Sequence, residues 1–204
     1  MIKMVINTVM NETWPMLIVF LTTIIIVRYF YLRNHREKFI LYKECMFIFS
    51  IIYIWLLFEL LTTTEINTNS NVNIVPFEEI LRYEIGSKLF MLNVIGNISI
   101  FIPFGYLVSF YIKPKNAISP LIITFLTSAI VEFTQLNIGR SFDVDDIILN
   151  ILGTFIGYLL YKTLKYLQKH LPQFFKSPLF YNIIWLILIF VLGIYIFGYW
   201  NVIF

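Results

Sequence analysis

Long apolar runs separated by short polar stretches extend along almost the whole chain. Six runs approach or exceed the roughly 20 apolar residues that a helix needs to cross a bilayer. They cover residues 14–32, 45–61, 90–112, 117–136, 147–164 and 179–200. The runs lack the polar–apolar alternation of a membrane β-barrel, and backbone groups in lipid must satisfy one another. The pattern therefore predicts an all-α, polytopic membrane helical bundle of about six transmembrane helices.

The composition supports this fold class. Of the 204 residues, 59% are hydrophobic and only 13% are charged, and the mean hydropathy is +0.82. Soluble domains are about 45–50% apolar and about 25% charged, so the composition argues against a soluble enzyme, a disordered protein and a nucleic-acid-binding domain. Cys45 is the single cysteine, which rules out an internal disulfide and a cysteine-based metal cluster. We expect one integral membrane domain over residues 1–204.

The lysines and arginines predict the orientation, because cytoplasmic loops are enriched in these residues. With the N-terminus outside, eleven of the 15 cations fall on the cytoplasmic side and four on the other. Lys3 is the only early cation and no small-residue cleavage site follows the first run, so that run is predicted to be a permanent helix rather than a signal peptide. The prediction is a multi-pass protein of the cytoplasmic (plasma) membrane with both termini extracytoplasmic.

The one long extracytoplasmic connection covers residues 62–89 in this topology. Its second part, 75–88, begins near Pro76 and carries Ile80, Leu81 and Ile85 at helical spacing. We interpret this part as a short amphipathic helix at the membrane interface, between transmembrane helices two and three.

Polar side chains recur inside the central apolar segments, where such residues are costly and are functional hypotheses by default. The candidates are Asn97 in the third segment, Glu132 and Gln135 in the fourth, Asn150 in the fifth, and Arg140, Asp143, Asp145 and Asp146 in or beside the connection between the last two. Helical spacing and the short connection bring these side chains toward one outer-leaflet site. We therefore predict that these eight residues bind a ligand.

A purely structural role is the alternative. Arg140 would pair with Glu132 or with one of the aspartates, Asn150 and Gln135 would bridge helices, and Asp143 or Asp145 would cap the fifth segment. Capping needs one acid, whereas this connection supplies three. Independently, Gly153 and Gly157 form a small-xxx-small pair that predicts close helix packing.

Several motifs resemble the signature of VanZ-like membrane proteins. They read NIVPF at 73–77, NISIFIPFG at 97–105, EFTQ at 132–135, RSFDVDD at 140–146 and NILGTFIG at 150–157. The resemblance covers about residues 73–162. It implies a membrane protein of the kind associated with lowered susceptibility to teicoplanin, a lipoglycopeptide antibiotic, in Gram-positive bacteria, without altered peptidoglycan termini. The resemblance thus implies a phenotype but not a chemical reaction.

Three mechanisms are compatible with these residues. The first is a non-enzymatic protein whose acidic outer-leaflet site engages a lipid-linked cell-wall precursor or the acyl-anchored antibiotic, with membrane lipids as neighbours and no nucleic-acid partner. The second is a membrane enzyme that modifies a cell-envelope lipid through Glu132, Asp143, Asp145 and Asp146. The third is a small lipid or drug transporter. The absence of a well-placed His, Ser–Lys pair or outer Cys nucleophile favours the first, and the sequence assigns no catalytic residue, metal ligand or cofactor.

Overall fold

A computed structural model describes the backbone of residues 2–62 and 72–203, and the side chains of residues 15–61 and 72–194. Helices account for nearly all of this chain, which confirms the all-α prediction. In order they are α1 (Ile2–Asn34), α2 (Leu41–Thr62), α3 (Glu78–Arg82), α4 (Lys88–Phe90), α5 (Gly96–Ile112), α6 (Ile118–Asn137), α7 (Val144–His170), α8 (Gln173–Lys176) and α9 (Pro178–Ile203). A π-helical turn, Met91–Ile95, joins α4 to α5 without a break.

Five stretches of helix within the described part of the chain are long and apolar enough to cross a membrane. They are Pro15–Asn34, Leu41–Leu61, Lys88–Ile112, Ile118–Asn137 and Val144–His170. The chain is thus a multi-pass membrane protein, and five of the six predicted segments form such helices. The sixth predicted segment lies in α9, of which Pro178–Ile194 is a shorter apolar helix, so a total of six spans stays a prediction.

The chain divides into two compact units. One consists mainly of Tyr53–Tyr166, and the other of Ile6–Ile52 and the chain from Leu167 onward. In the second unit, Arg28 on α1 forms a bidentate ion pair with Glu44 on α2, with N–O distances of 2.8 and 3.1 Å. All eight predicted site residues lie in the first unit.

The packing of α5 against α7 depends on missing side chains. A Cβ atom on Gly153 would collide with the Ile98 carbonyl oxygen, and one on Gly157 would collide with that of Ile102. On the facing helix, a Cβ on Gly105 would collide with the backbone of Thr154. The predicted close approach at Gly153 and Gly157 is therefore confirmed, and α5 is the partner helix.

A small parallel pair of strands interrupts the all-helical pattern. Strand β1 (Val72–Asn73) pairs with β2 (Phe142–Asp143), in the register Val72 to Phe142 and Asn73 to Asp143. No sequence pattern predicted these strands, since each has only two residues. They bring the chain that follows β1 to the N-terminal end of α7.

The predicted interfacial helix is shorter than expected. Helix α3 occupies only Glu78–Arg82 of the predicted 75–88, because Phe77 before it has a left-handed backbone (φ 70°) and Tyr83 after it is extended. Gly86, at φ 86°, turns the chain again before α4. We call residues 72–83 the cap segment. The preceding residues 63–71, in the first part of the long predicted connection, lie outside the described part of the chain.

Candidate functional site

Asp145 fastens the cap segment to α7. Its carboxylate accepts hydrogen bonds from three backbone N–H groups, those of Phe77 (2.5 Å), Glu79 (2.9 Å) and Ile80 (3.1 Å). These donors belong to the start of α3, where N–H groups lack helical partners and a negative charge is stabilised. Asp145 is only 1% exposed, so its oxygens are committed to the backbone. Asp145 therefore caps α3. The cap of α7 that the structural alternative assigned to Asp143 or Asp145 is Asp143, whose Oδ1 accepts the Asp145 backbone N–H.

Asp143 provides a second attachment. Its Oδ1 accepts hydrogen bonds from Asn73 Nδ2 (3.2 Å) and from the Asp145 backbone N–H (2.9 Å). Its own backbone N–H donates to Glu132 Oε2 on α6 (3.0 Å). Glu132, at 1% exposed, therefore holds the start of α7 in place through the backbone.

An acidic cleft of about 260 Å³ lies between the cap segment, the π-helical turn and the start of α7. It is lined by Glu79, Ile80, Tyr83, Asn93, Val94, Ser141, Asp143, Asp145, Asp146 and Leu149. Four of these residues are acids and none is a lysine or arginine. Glu79 forms an ion pair with the exposed Arg82 (2.8 Å) and accepts from the Tyr83 hydroxyl (3.3 Å). No ion pair involves the other three acids within the described part of the chain.

Asp146 is the acid that points from the spanning helix α7 into this cleft. Its Oδ1 accepts a hydrogen bond from Asn97 Nδ2 on α5. Asn97 thus lies directly behind the cleft, and Asn93 lines it one turn earlier. That turn is π-helical, a local widening that is frequent at functional sites.

Burial shifts the charge equilibria around the cleft. Removal from water raises the pKa of Asp143 above its ordinary value, and the neighbouring Asp145 and Glu79 charges act in the same direction. Burial likewise raises the pKa of Tyr83. The surroundings of the cleft therefore disfavour the charged forms of Asp143 and Tyr83.

The expected pairing of Arg140 with a carboxylate is wrong. Arg140 Nη1 donates instead to the backbone carbonyl of Leu61 (2.5 Å), near the C-terminal end of α2, and no carboxylate forms an ion pair with it among the described residues. Gln135 Nε2 donates to the same carbonyl (2.7 Å). The last carbonyls of a helix lack partners and attract positive charge, which explains this arrangement. Burial lowers the pKa of Arg140, with the Glu132 and Asp146 charges opposing that shift.

Asn150 and Gln135 both bridge helices, as the structural alternative expected. Asn150 Nδ2 donates to Ser128 Oγ on α6 (2.8 Å), whereas Gln135 reaches α2. Asn150 is 2% exposed and does not line the cleft.

The eight predicted residues fall into two groups in the structure, those at the cleft and those around it. Asp143, Asp145 and Asp146 line the cleft and Asn97 supports it, whereas Glu132, Gln135, Arg140 and Asn150 connect backbone and helices around it. Sequence reasoning missed Glu79, Tyr83, Asn93 and Ser141. Only the cap segment brings Glu79 and Tyr83 to α7, and the β1–β2 register that does so leaves no periodic signal. Asn93 could have been found, because it lies four residues before Asn97.

Metal-ligand geometry is not evident in the described residues, where no three His, Cys, Asp or Glu side chains converge closely enough to hold an ion.

The comparison with known families agrees with these motifs. The family model described as VanZ/LLP1 matches residues 39–165, which is more than half of the chain. The match includes the whole stretch on which the sequence resemblance rests, together with α2, the cap segment and the cleft. No curated protein and no solved structure matches significantly. The chain therefore belongs to the VanZ/LLP1 family.

Proposed function

We propose that this chain is a non-enzymatic protein of the plasma membrane that lowers susceptibility to lipoglycopeptide antibiotics such as teicoplanin. In this proposal the acidic cleft opens on the extracytoplasmic side and binds a lipid-linked cell-wall precursor or the acyl-anchored antibiotic. Family membership supports the phenotype, and the composition of the cleft supports the mode of action.

Four acids line one cleft, and within the described chain only one of them, Glu79, forms an ion pair, with Arg82. This crowding of negative charge is the main support for the proposal. Like charges in a region of reduced dielectric repel one another. A ligand with a cationic group, or with many hydroxyl and amide donors, would relieve that repulsion. Glu79, Asp143 and Asp146 are the proposed acceptors, whereas Asp145 keeps its place as the anchor of the cap segment.

The exposed apolar side chains of the connection suggest how an acylated ligand would approach. Phe77, Leu81 and Ile85 are 53%, 81% and 87% exposed, although they lie outside the spanning helices. Side chains of this kind are stable at the membrane interface. We propose that they rest on the outer leaflet, so that a head group enters the cleft while its acyl chain stays in the lipid.

The orientation belongs to the same proposal: six spans with both termini outside. In a Cys45→Ala background, a cysteine at Leu81 should react with an impermeant maleimide on intact cells, and one at Asn34 should react only after the membrane is opened. The reverse pattern would contradict an extracytoplasmic cleft.

The function is tested by antibiotic susceptibility in a sensitive Gram-positive host. The native chain should raise the inhibitory concentration of teicoplanin, and the variant Glu79→Gln/Asp143→Asn/Asp146→Asn should not, at equal abundance in the membrane. Glu84→Gln is the matched control, because this exposed acid lies outside the cleft. Full protection by the triple variant would overturn the proposal. A modified envelope lipid appearing only in cells with the native chain would instead favour the enzymatic alternative.

A further inference from the structure

A polar face runs along α7 from one end to the other. It consists of Asp146, Asn150, Thr154, Tyr158, Tyr161 and Lys165. Spacings of three and four residues keep these side chains on one side of the helix. At 1.5 Å per residue the face is about 28 Å long, close to the roughly 30 Å thickness of the hydrocarbon core. An apolar spanning helix does not need such a face.

Helix α6 carries matching polar groups. Ser128 Oγ accepts from Asn150 Nδ2 (2.8 Å), and four residues earlier Thr124 Oγ1 donates to Thr154 Oγ1 (2.8 Å). Four residues later in α6 comes Glu132, which this register places level with Asp146. The two faces form a polar seam, which we define as Thr124, Ser128 and Glu132 on α6 together with the polar face of α7.

The seam is closed to bulk water along its middle. Thr124, Ser128 and Thr154 are fully buried and Asn150 is 2% exposed. Further along, Tyr158 and Tyr161 are also buried, and Lys165 Nζ lies 3.3 Å from the Tyr161 hydroxyl. At the other end Asp146 lines the acidic cleft, so the polar seam begins in that cleft.

Two buried polar side-chain atoms, one of them in the seam, have no protein partner within the described chain. One is Asn150 Oδ1, and the other is Ser109 Oγ on α5. Ser109 lies about one turn beyond Tyr106, whose ring is 6.3 Å from that of Tyr161. If the Asn150 amide is rotated by half a turn, one of its ends still lacks a partner.

Helix association alone does not account for these two atoms. Polar pairs that join helices satisfy each other, whereas a buried polar group without a partner lowers the stability of the folded chain. Buried water normally occupies such places, because it supplies the missing hydrogen bonds. Water held beside Asn150 would connect the hydroxyl groups of the seam.

We propose that the polar seam is a water-containing proton pathway across the membrane. A proton from water in the acidic cleft binds the carboxylate of Glu132 or Asp146, which lie level with each other. It then passes along waters and hydroxyl groups by exchange of O–H bonds and leaves to water beside Lys165. Asn150 holds a water molecule and does not itself transfer the proton. Each crossing carries one positive charge, so the flux follows the membrane potential.

The charges that surround the entry are those of Asp143, Asp146 and Arg140, which face Glu132 from the start of α7 and the preceding connection. Arg140 opposes entry of a cation, and the two aspartates favour it. The pathway does not require the cleft to bind an antibiotic or a precursor, so it can hold or fail independently of the proposed function.

The test measures proton flux in vesicles that contain the purified full-length chain. Vesicles loaded with potassium and a trapped pH-sensitive dye receive valinomycin, and the outflow of potassium drives protons inward. The native chain should acidify the lumen faster than protein-free vesicles do. Thr154→Val keeps the shape of the side chain and removes the hydroxyl, so its rate should fall to that of protein-free vesicles. Asn150→Leu should have the same effect.

Thr134→Val is the matched control, because this hydroxyl is on α6 outside the seam and bonds only the Ile130 carbonyl (2.8 Å). Its rate should equal that of the native chain. Circular dichroism and thermal unfolding confirm that each variant is folded, and Thr154→Val serves alone if Asn150→Leu does not fold. Native flux no greater than in protein-free vesicles, or undiminished flux in folded Thr154→Val, would overturn the proposal.

Discussion

Helix α7 packs against its two neighbours by opposite means. Toward α5 it presents Gly153 and Gly157, so the backbones touch along the middle of the helix, and one hydrogen bond, from Asn97 to Asp146, joins the two helices at the start of α7. Toward α6 it presents Asn150 and Thr154, which pair with Ser128 and Thr124. The α5 contact is dense packing that leaves no space for a larger side chain, whereas the α6 contact relies on hydrogen bonds and includes a buried amide oxygen, Asn150 Oδ1, without a partner among the described residues. Along the middle of α7, close backbone packing and side-chain hydrogen bonds therefore lie on different sides of the helix.

The largest effect is expected on the α5 side. Gly153→Leu places a side chain where the Ile98 carbonyl already lies, and overpacking of a dense contact costs about 1–3 kcal/mol or more. We expect the variant to be lost from the membrane or to unfold at a much lower temperature in detergent. Gly193→Leu is the control, because a Cβ on Gly193 meets nothing within 4 Å. Equal stability of the two variants would contradict dense packing of α7 against α5.

The next effect concerns the cap segment. Asp145→Asn replaces a charged acceptor of three N–H groups and should cost about 1.5–3 kcal/mol, since hydrogen bonds to charged groups contribute that much. Amide hydrogen exchange at residues 77–80 should accelerate while α5 stays protected. Asp146→Asn is the adjacent control and should leave this exchange unchanged. Slow exchange at the cap segment in Asp145→Asn would show that another contact holds it.

A smaller effect distinguishes between two possible partners of Arg140, the Leu61 carbonyl and the Glu132 carboxylate. Arg140 and Gln135 share the Leu61 carbonyl, so Arg140→Ala and Gln135→Ala should be non-additive by about 0.5–1 kcal/mol in thermal unfolding. Arg140→Ala and Glu132→Gln should be closer to additive, because no ion pair joins those side chains in the described structure. Stronger coupling to Glu132 would restore the pairing expected from the sequence.

The smallest effect is a pH dependence. Because burial raises the pKa of Asp143 above its ordinary value of 3.8, the folded chain holds this proton more tightly than the unfolded chain does. The Asp143 contribution to stability is therefore complete at low pH and is lost as the pH rises above about 4 through the raised pKa. Asp143→Asn should unfold at a temperature that falls less between pH 4 and pH 7 than that of the native chain. An identical pH slope would contradict a destabilising charge at this position.

The sequence predicted one side of α7 better than the other. Two glycines four residues apart are enough to predict close helix packing. Only the identity of the neighbouring helix, α5, had to come from the structure. The polar residues indicated a site, but the partner expected for Arg140 was wrong, because the Leu61 backbone carbonyl that it bonds gives no signal in the sequence pattern. The two-residue strands that bring Glu79 to Asp143 are too short to carry periodicity, so the three lining residues of the cap segment, Glu79, Ile80 and Tyr83, were beyond prediction.

The most direct test of the central claim is ligand binding by the acidic cleft. Native chain and Glu79→Gln/Asp143→Asn/Asp146→Asn, each in nanodiscs of the same lipid, are titrated with teicoplanin and with a lipid-linked cell-wall precursor while intrinsic fluorescence is recorded. The native chain should bind one of these ligands saturably. The triple variant, in which Asp145 and the cap segment are intact, should not bind it. Equal binding by both proteins, or no binding of either ligand by the native chain, would contradict the central claim.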